Sequence, residues 1–551
     1  ATIEVTGGTF SSNPSRYLVE SSSATQNEDG TYGVEKAYLA QVGETSYYTM
    51  DEAFKAQTEN GGVITLLRDY TTGSTFNSGT VARVVDLNGH TWTCTGTDAN
   101  SAAFEINHSN ASLTVKNGKI VSSQLIGLIP SANGGAITYD NSSLTFENVE
   151  ATTTASSGIE TNGNNTNDTV TLKDSTLNVP NGYGIYFPSS GKLTIDNSTI
   201  NAKTMGVQVC SGNLNINEGS TISVSGDPVA KTEGDGAIQD GAAISIVNRP
   251  GYKGLGQIAI TGGTFTAKGA NAAIKAYTWD SSTKQESSFD NSDNMVTVSG
   301  GEFNGSVDLG NIDVSGGQFT DNEVAKHLKS GKAVLFHDGK YAVANEEAVK
   351  GDAIYSVTNN ADGTVVYFTD LQAANDYAKE SGAQSPKVLK VTVNFESNQG
   401  TAVDSQLVTV GDKVAKPADP TKEGYTFTGW FSDEDCTKPY DFDVAVDDTV
   451  PELTLHAGWK ASAPSIVKPG TGDNANNGGN GDNAGKGDGT NNGSNAANGS
   501  NANNGDKTVN ESKTALAETG DNLTLVGGAI ALIAVTAAAV AAFALRRRKM
   551  N

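Results

Sequence analysis

A short phrase that returns along the chain constrains the fold of this protein more than any other feature of its sequence. Its pattern is aliphatic-x-aliphatic-x-Gly-Gly-x-Phe, and clear copies occupy residues 3–10, 258–265, 296–303 and 312–319. Weaker versions begin at intervals of 31, 26, 23 and 21 residues, at Leu113, Leu144, Val170, Leu193 and Leu214. Short strand-like segments separated by Asn and Gly turns at such irregular intervals indicate a solenoid rather than a closed sandwich.

A second phrase consists of one or two small residues followed by Ile or Val. It predicts another strand in each rung, where a rung is one passage of the chain through the repeat. Its copies begin at Gly135, Ser157, Gly184, Gly206, Ala242 and Ala272. A further apolar residue falls five positions after the last inward residue of the following strand, as in Val115 and Ile120. Three inward-facing points in each rung predict a right-handed parallel β-helix, in which stacked rungs bury a core that no single rung could bury. The expected fold class is therefore all-β, with a solenoid similar to that of pectate lyases.

Two longer correspondences set the expected boundaries of this body. Residues 5–34 parallel residues 314–343 at an offset of 309, and a helix-forming phrase at 48–56 returns at 367–374. A helix followed by strands at this point resembles the start of many bacterial surface β-helices, in which the helix covers the first rung. The expected divisions are the tail of a preceding unit at 1–36, a whole β-helix unit with its capping helix at 37–345, and the beginning of another unit at 346–390. Because no export signal stands at residue 1, we expect the sequence to enter its protein partway.

Residues 391–460 differ from the body, since short strands are split there by Pro and Gly turns. Aromatic residues that can supply a small core, or alternatively a carbohydrate platform, are Tyr425, Phe427, Trp430 and Trp459. The series, which includes EGYTFTGW at 423–430 and LTLHAGW at 453–459, closely resembles the internalin-type B repeat, or Listeria–Bacteroides repeat. The resemblance implies a small β-grasp-like module that serves surface proteins as a spacer or weak interaction domain.

The remaining chain divides into a polar segment and an apolar one. Residues 461–515 are rich in Asn, Gly and Asp and cannot bury a core, so we expect a disordered stalk able to span a cell wall. Residues 523–545 carry no charge, and Arg546 to Lys549 follow them. A helix of this length could cross a bilayer core of about 30 Å, with the basic tail on the cytoplasmic side.

The pentapeptide Leu516-Ala517-Glu518-Thr519-Gly520 stands just before the apolar segment. Pentapeptide, transmembrane helix and basic tail in this order resemble the sorting signal (LPxTG type, here LAETG) of Gram-positive sortase substrates. The resemblance implies that a sortase cleaves between Thr519 and Gly520 and joins Thr519 covalently to peptidoglycan. It also implies that the chain is held in the membrane only before this step. Ala517 stands where that family most often has Pro, which leaves the class of sortase open. The expected location is the Gram-positive cell wall, at the cell surface.

Composition and motifs narrow the range of possible functions. The net charge of −25 argues against nucleic acid and against anionic membranes as partners. The three cysteines, Cys94, Cys210 and Cys436, are too few for a disulfide framework and are expected to be buried hydrophobes. No nucleophile elbow, metalloprotease helix or phosphate loop occurs, and we expect no cofactor.

Carboxylates remain as candidate chemistry. Strand alternation predicts one outward column on the first strands, formed by Glu105, Thr138, Glu160, Tyr186, Gln208, Ser245 and Lys275. Glu105 and Glu160 would lie two rungs apart, about 10 Å, near the separation of the acid and base in inverting glycosidases. Tyr186, Gln208 and Lys275 are the candidate glycan-binding residues. The column is also what an inert acidic face would show.

The sequence predicts two further sets of charged residues. Outward residues of the second strands, Lys116, Glu147, Lys173, Asp196 and Asn217, alternate in sign as a solvated, self-pairing face would. A long turn after Val224 carries Asp227, Glu233, Asp235 and Asp240, which could bind a calcium ion or form a mobile acidic loop.

Together these features predict a cell-wall-anchored bacterial surface protein whose work is adhesion, through the β-helix, to a glycan or protein of a host or neighbouring cell. A surface polysaccharide lyase or glycoside hydrolase of the β-helix type is the alternative. A passive structural layer is the third reading. An enzyme would need clustered carboxylates that share a groove on the first-strand face.

Overall fold

The computed structural model describes residues 3–231 and 236–463, and strands dominate this part of the chain, as the all-β prediction requires. The α-helices in these residues are α1 (Met50–Asn60), α2 (Glu346–Asp352) and α3 (Leu371–Glu380), and short 3-10 helices occupy Ser15–Tyr17, Asn133–Gly135 and Asn322–Lys326. Within those two ranges no helix is long and apolar enough to cross a membrane. The predicted span at 523–545, the sorting pentapeptide and nearly all of the stalk lie outside the described residues.

The centre of the structure is a body of parallel strands between residues 64 and 319, in which each rung contributes up to three strands. First strands are Phe76–Asn77, Ala102–Glu105, Leu125–Ile129, Ser157–Thr161, Tyr183–Phe187, Met205–Val209, Ile244–Asn248, Ala272–Asp280 and Ser306–Asp308. Second strands are Ile64–Leu66, Ala82–Asp86, the first halves of Ser112–Ser122 and Ser143–Thr153, then Thr169–Lys173, Lys192–Asp196, Gly212–Ile216, Leu255–Ile260 and Val296–Val298. Third strands are Tyr70–Thr72, Thr91–Cys94, the second halves of the same two long strands, then Thr176–Val179, Thr199–Ala202, Thr221–Val224, Thr264–Thr266, Glu302–Asn304 and Gly317–Phe319.

The copies of the repeated phrase stack in register. On the second strands the partners run Leu113, Leu144, Val170, Leu193, Leu214, Ile258 and Val296. On the third strands they run Ile120, Ala151, Leu177, Ile200, Ile222, Phe265, Phe303 and Phe319. All of these side chains are buried in one continuous apolar core. This parallel stacking is consistent with the predicted β-helix.

The turn between second and third strands uses residues in the left-handed conformation. Asn117, Asn148, Asp174 and Asn197 occupy it with φ between 44° and 59°. Asn tolerates this region because its short polar side chain can hydrogen-bond locally. The Asn148 amide donates to Oδ1 of Asn117 at 3.1 Å, and the Asn197 amide donates to Oδ1 of Asp174 at 2.7 Å. Side chains of neighbouring rungs therefore tie the turns together.

The body is closed at its beginning by a hairpin, a helix and a strand. Ala40–Val42 pairs antiparallel with Thr45–Tyr47 and with Ile64–Leu66, and α1 lies between them in sequence. The side chain of Thr49 accepts from the Glu52 N–H while Glu52 accepts from the Thr49 N–H, a capping box that fixes where α1 begins. The same arrangement returns later: Tyr355–Thr358 pairs antiparallel with Val365–Phe368 and with Lys387–Val388, and α3 separates the last two in sequence.

The small β domain follows as a four-stranded sheet, in the order Gln406–Thr409, Lys390–Glu396, Glu452–Ala461 and Tyr425–Phe431. Trp430 is buried, and its ring lies 5.0 Å from that of Phe395 and 5.6 Å from that of Phe427. The Trp459 ring lies 5.5 Å from Phe427, whereas Tyr425 is exposed. Most of these aromatic residues thus build the core of the domain, as core packing rather than a carbohydrate platform requires.

Candidate functional site

The first-strand sheet carries the candidate residues in one column. Its residues pair from strand to strand in the order Asn77, Glu105, Leu128, Glu160, Tyr186, Gln208, Ser245, Lys275 and Asp308. Thr138, expected in this column, is absent from it, and Leu128 takes its place. The reason is local, because the chain forms a 3-10 turn at Asn133–Gly135 and the first strand of that rung is Leu125–Ile129.

Glu105 and Glu160 lie two strands apart in this column, about 10 Å at the usual spacing of strands. Leu128 stands between them and is buried. Burial, with a smaller contribution from the nearby Asp98, raises the pKa of Glu105. Glu160 accepts a hydrogen bond of 2.6 Å from the hydroxyl of Tyr183. The two carboxyl groups thus differ in environment, as an acid and a base would, but an apolar side chain occupies the space between them.

The long turn after Val224 folds back over the column. Gln208 is fully buried, and its amide donates to the carbonyl of Ile238 at 2.9 Å while its Oε1 accepts from the Ile238 N–H at 2.9 Å. The Tyr186 hydroxyl lies 3.0 Å from that of Tyr252 and accepts from Arg249 at 3.1 Å. Tyr186 and Gln208, predicted to meet a glycan, are therefore covered by the chain itself. Sequence periodicity placed them correctly on the outward face but could not show this cover.

Lys275, the third glycan-binding candidate, is engaged by its own hairpin. The strand Ala272–Asp280 pairs antiparallel with Gln285–Ser288. The Lys275 ammonium lies 2.6 Å from the Glu286 carboxylate and 4.4 Å from the centre of the Tyr277 ring. Its side chain is only 18% exposed, so little of it is open to a ligand.

Of the four acidic residues in the long turn, the structure describes Asp227 and Asp240, and these two have different partners. Asp227 pairs with Lys268 at 2.6 Å on the surface. Asp240 accepts from the Ser245 hydroxyl at 2.6 Å, from the Tyr277 hydroxyl at 2.9 Å and from the Ala242 N–H at 3.1 Å. Burial raises the pKa of Asp240 against these hydrogen bonds. Glu233 and Asp235 lie outside the described residues, and within 3–231 and 236–463 no three His, Cys, Asp or Glu side chains are grouped as a metal ion would require.

An open groove that the sequence reasoning missed runs along the turns between second and third strands. We call it the asparagine groove, and its volume is about 760 Å³. Its lining includes Asn88, Asn117, Asn148, Asp86, Asp174, Lys119 and Glu150. Recurrence of Asn 31 residues apart, at positions 117 and 148, is the signal in the sequence that could have located it.

The asparagine groove is polar and internally cross-linked. Asp86 accepts from the Asn117 amide at 3.1 Å and lies 3.6 Å from the Lys116 ammonium. Lys119 pairs with Glu150 at 2.8 Å, and both side chains are more than half exposed. Gly118 also lines the groove, and a Cβ at this position would come within 2.5 Å of the Leu87 side chain. The groove therefore presents amides, carboxylates and the Lys119 ammonium group to solvent.

The second-strand face behaves as the sequence predicts. Lys116, Glu147, Lys173 and Asp196 are partners in register, and the Lys173 ammonium lies 2.6 Å from the Glu147 carboxylate. The Asn217 amide donates to Asp196 at 3.1 Å. Lys116 pairs with Asp86 and Lys173 with Glu147, so these charges are satisfied largely within the sheet.

Comparison with known proteins assigns the small β domain. Residues 392–457 match the Listeria-Bacteroides repeat domain, which confirms the resemblance seen in the sequence. An 80-residue stretch is 37% identical to a protein of Evansella cellulosilytica that is described by its name as a Gly-rich membrane protein, over 14% of this chain and 9% of that protein. A second protein of the same organism, described as a membrane protein, is 40% identical over 70 residues, 12% of this chain and 10% of its own length. The chain thus spans about a tenth of the length of these relatives.

Proposed function

We propose that this chain belongs to a bacterial cell-surface protein that binds glycan along its parallel-strand body, which we take to be a right-handed β-helix. The Listeria-Bacteroides repeat domain at 392–457 supports a surface or membrane-associated protein, and both relatives are named as membrane proteins. The stacked rungs support the β-helix, since they share one core along the body. The small β domain then serves as a spacer between the body and the stalk.

The observation that carries the binding proposal is the asparagine groove. A glycan offers hydroxyl groups that both donate and accept hydrogen bonds, and amides and carboxylates supply matching partners. Neighbouring rungs lie about 4.8 Å apart, so the groove repeats its polar groups from rung to rung. The column on the first strands is less suited, because the chain covers Tyr186 and Gln208.

The groove can be tested without disturbing the fold. The full chain would be applied to a glycan array and to immobilised mucin, beside the double variant Lys119→Ser, Glu150→Ser. We expect the variant to lose most binding and to keep its unfolding temperature, because an exposed ion pair contributes about 0–1 kcal/mol. The matched control is Lys55→Ser, Glu59→Ser, an exposed pair on α1. Binding that survives in the groove variant would refute this site, and no binding by the native chain would favour a passive structural layer.

Covalent attachment to the cell wall is the second part of the proposal, and it rests on the sequence LAETG at 516–520. A sortase would cleave after Thr519 and transfer its carbonyl to an amine of the wall precursor. Thr519→Ala should move the protein from the wall fraction, released by muramidase, to the membrane fraction, released by detergent. Thr514→Ala, five residues upstream, is the control. An unchanged wall fraction in the Thr519 variant would exclude this anchor.

A polysaccharide-degrading enzyme is the other candidate, and the observation that favours it is the raised pKa of Glu105, two strands from Glu160 in the same column. Digestion of a panel of host and plant polysaccharides would be followed through new reducing ends and unsaturated products. Product release that the Glu105→Gln, Glu160→Gln variant abolishes would establish catalysis on the first-strand column. If no polysaccharide in the panel releases product, binding remains the proposed function of the body.

A further inference from the structure

A row of side chains runs along the asparagine groove, with one member from each of successive rungs. We call it the amide ladder, and its members are Asp86, Asn117, Asn148, Asp174 and Asn197. The first four line the groove. The Asn117 amide donates to the Asp86 carboxylate at 3.1 Å, and the Asn148 amide donates to Oδ1 of Asn117 at 3.1 Å. The Asn197 amide donates to Oδ1 of Asp174 at 2.7 Å, so hydrogen bonds join the members on both sides of the junction between Asn148 and Asp174.

The composition of the amide ladder leaves one of its junctions without a donor. A carboxylate only accepts hydrogen bonds, whereas an amide side chain donates through its nitrogen and accepts through its oxygen. The four residues Asp86, Asn117, Asn148 and Asp174 form three successive junctions but contain only two amide groups. Whichever way the two amides turn, one of the three junctions must therefore join two acceptors.

This junction lies between Asn148 and Asp174, and we call it the donor gap. The Asn117 amide directs its nitrogen to Asp86 and its Oδ1 to Asn148, which in turn uses its nitrogen for Asn117. Oδ1 of Asn148 and the Asp174 carboxylate remain as neighbouring acceptors, and no donor lies between them in the part of the chain that the structure describes. The rungs are about 4.8 Å apart, which leaves room for one donor to bridge the two acceptors.

The backbone does not cause the donor gap. Residues 117, 148, 174 and 197 all adopt the left-handed conformation, with φ between 44° and 59°. Their side chains therefore leave equivalent positions of equivalent turns. The break in the amide ladder follows from the presence of a carboxylate at position 174, where an amide would have continued the row.

Charge decides which donor the gap favours. The Lys119 ammonium group lies 2.8 Å from the Glu150 carboxylate. Asp174 forms no ion pair among the described residues, and the adjacent Lys173 pairs with Glu147 at 2.6 Å. The lining of the groove includes three carboxylates and one ammonium group, so its net charge is negative. A cationic donor would gain electrostatic attraction as well as hydrogen bonds, whereas a hydroxyl group would gain hydrogen bonds alone.

We propose that the donor gap binds a protonated amino group of a glycan, so that the asparagine groove takes glycans with free amino sugars of the glucosamine type. This inference rests on the proposed function of the groove. The ligand ammonium group donates to Oδ1 of Asn148 and to the Asp174 carboxylate, and it completes the amide ladder. Asp174 is then the residue that determines specificity. Acetylation of the amino group removes the charge that Asp174 recognises.

Three hexasaccharides that differ only at C2 of each sugar test the proposal. They are the β-1,4-linked hexamers of glucosamine, N-acetylglucosamine and glucose. Binding to the full chain is measured by calorimetry at about pH 5.5, where carboxyl groups of ordinary pKa are ionised and amino groups are protonated. We expect the glucosamine hexamer to bind at least about tenfold more tightly than the other two, because it alone offers a charged donor.

Asp174→Asn is the decisive variant, because its amide supplies the missing donor and removes the charge. It should lose the preference for the glucosamine hexamer, with an unfolding temperature that is unchanged or higher. Asp227→Asn is the matched control, since it removes one carboxylate at an exposed position outside the groove, and it should bind as the native chain does. The control measures the general attraction of a cationic oligomer to a chain of net charge −25.

The other outcomes separate this inference from the proposed function. Equal affinity for all three hexamers, lost in the Lys119→Ser, Glu150→Ser variant, would overturn the amino-group proposal and leave the groove as a glycan site. Weakening of the glucosamine hexamer by Asp174→Asn and Asp227→Asn alike would also overturn it, because the attraction would then be to the charge of the whole chain. If no hexamer binds, the amino-group proposal is wrong, whereas the glycan array decides the proposed function independently.

Discussion

Asp168 is a carboxyl group in the turn before a second strand, and it is fully buried. The Ser142 N–H donates to its Oδ1 at 3.2 Å. Burial raises its pKa to about 6, against the lowering effect of hydrogen bonds from Ser142, Asn165 and Ser189. The folded protein therefore holds this proton more tightly than the unfolded chain, whose Asp has a pKa near 3.8. The contribution to stability is present below about pH 4 and is lost as the pH rises through about 6.

Asp168→Asn should remove this pH dependence, because the amide keeps the shape and carries no charge. The difference between a pKa of 3.8 and about 6 corresponds to roughly 3 kcal/mol. Relative to the native chain, the variant should gain up to that amount between pH 4 and pH 8, as measured by urea unfolding at each pH. Asp227→Asn, at an exposed position, is the control. If the free energy of unfolding changes with pH in the same way for the native chain and the Asp168 variant, the carboxyl group does not titrate in this range.

Gly118 permits the close approach of two rungs beneath the asparagine groove. A Cβ at this position would lie 2.5 Å from Cβ of Leu87 and 2.6 Å from the carbonyl oxygen of His90. Gly118→Ala should lower the free energy of unfolding by about 1–3 kcal/mol, the usual cost of overpacking. Gly351→Ala in α2 is the matched control, since nothing lies within 4 Å of its added Cβ, and it should be neutral or stabilising. Equal stability of both variants would mean that the rungs can separate at little cost.

At the scale of elements, the strands Gly8–Phe10 and Gly317–Phe319 allow one substitution to be compared in two environments. Phe319 is fully buried and its ring stacks on that of Phe303, whereas Phe10 is half-buried. Phe319→Ala should cost about 3–5 kcal/mol and Phe10→Ala about 1 kcal/mol, by thermal or urea unfolding. Equal costs for the two variants would show that Phe10 is packed as tightly as Phe319.

Sequence reasoning succeeded where neighbouring rungs repeat one another. The register of Lys116, Glu147 and Lys173 follows from alternation, because inward aliphatic residues on both sides fix which face each charge occupies. It failed at Thr138, because Leu125–Ile129 is buried on both faces and shows no alternation that would mark it as the strand. The sequence could not predict that the chain covers Tyr186 and Gln208, because the cover depends on contacts between residues 30 and 66 positions apart.

At the scale of the whole described molecule, one apolar core runs from the first rungs through residues 355–388 into the small β domain. Each rung nevertheless contacts mainly its neighbours, so the stability of a stacked body is close to a sum of rung and interface terms. The small domain is joined to the segment just before it by local hydrogen bonds. The Val410 N–H donates to the Leu389 carbonyl, and the N–H groups of Leu389 and Lys390 donate to the Ile354 carbonyl. Damage to one rung should therefore spread to its neighbours and stop well before the small domain.

Ile195→Ala tests how far such damage travels. The residue is fully buried in the middle of the body, and its truncation should cost about 2–5 kcal/mol locally. Hydrogen exchange should rise in the adjoining rungs, around residues 170–224, while protection in 391–461 and in α1 stays unchanged. Uniform loss of protection from 3 to 463 would instead mean that the described chain unfolds as one cooperative unit. The asparagine groove crosses the edge of this range, since Asp174 and Thr176 of its lining lie inside it whereas Asp86 and Asn88 lie outside, so damage at Ile195 should reach only one end of the groove.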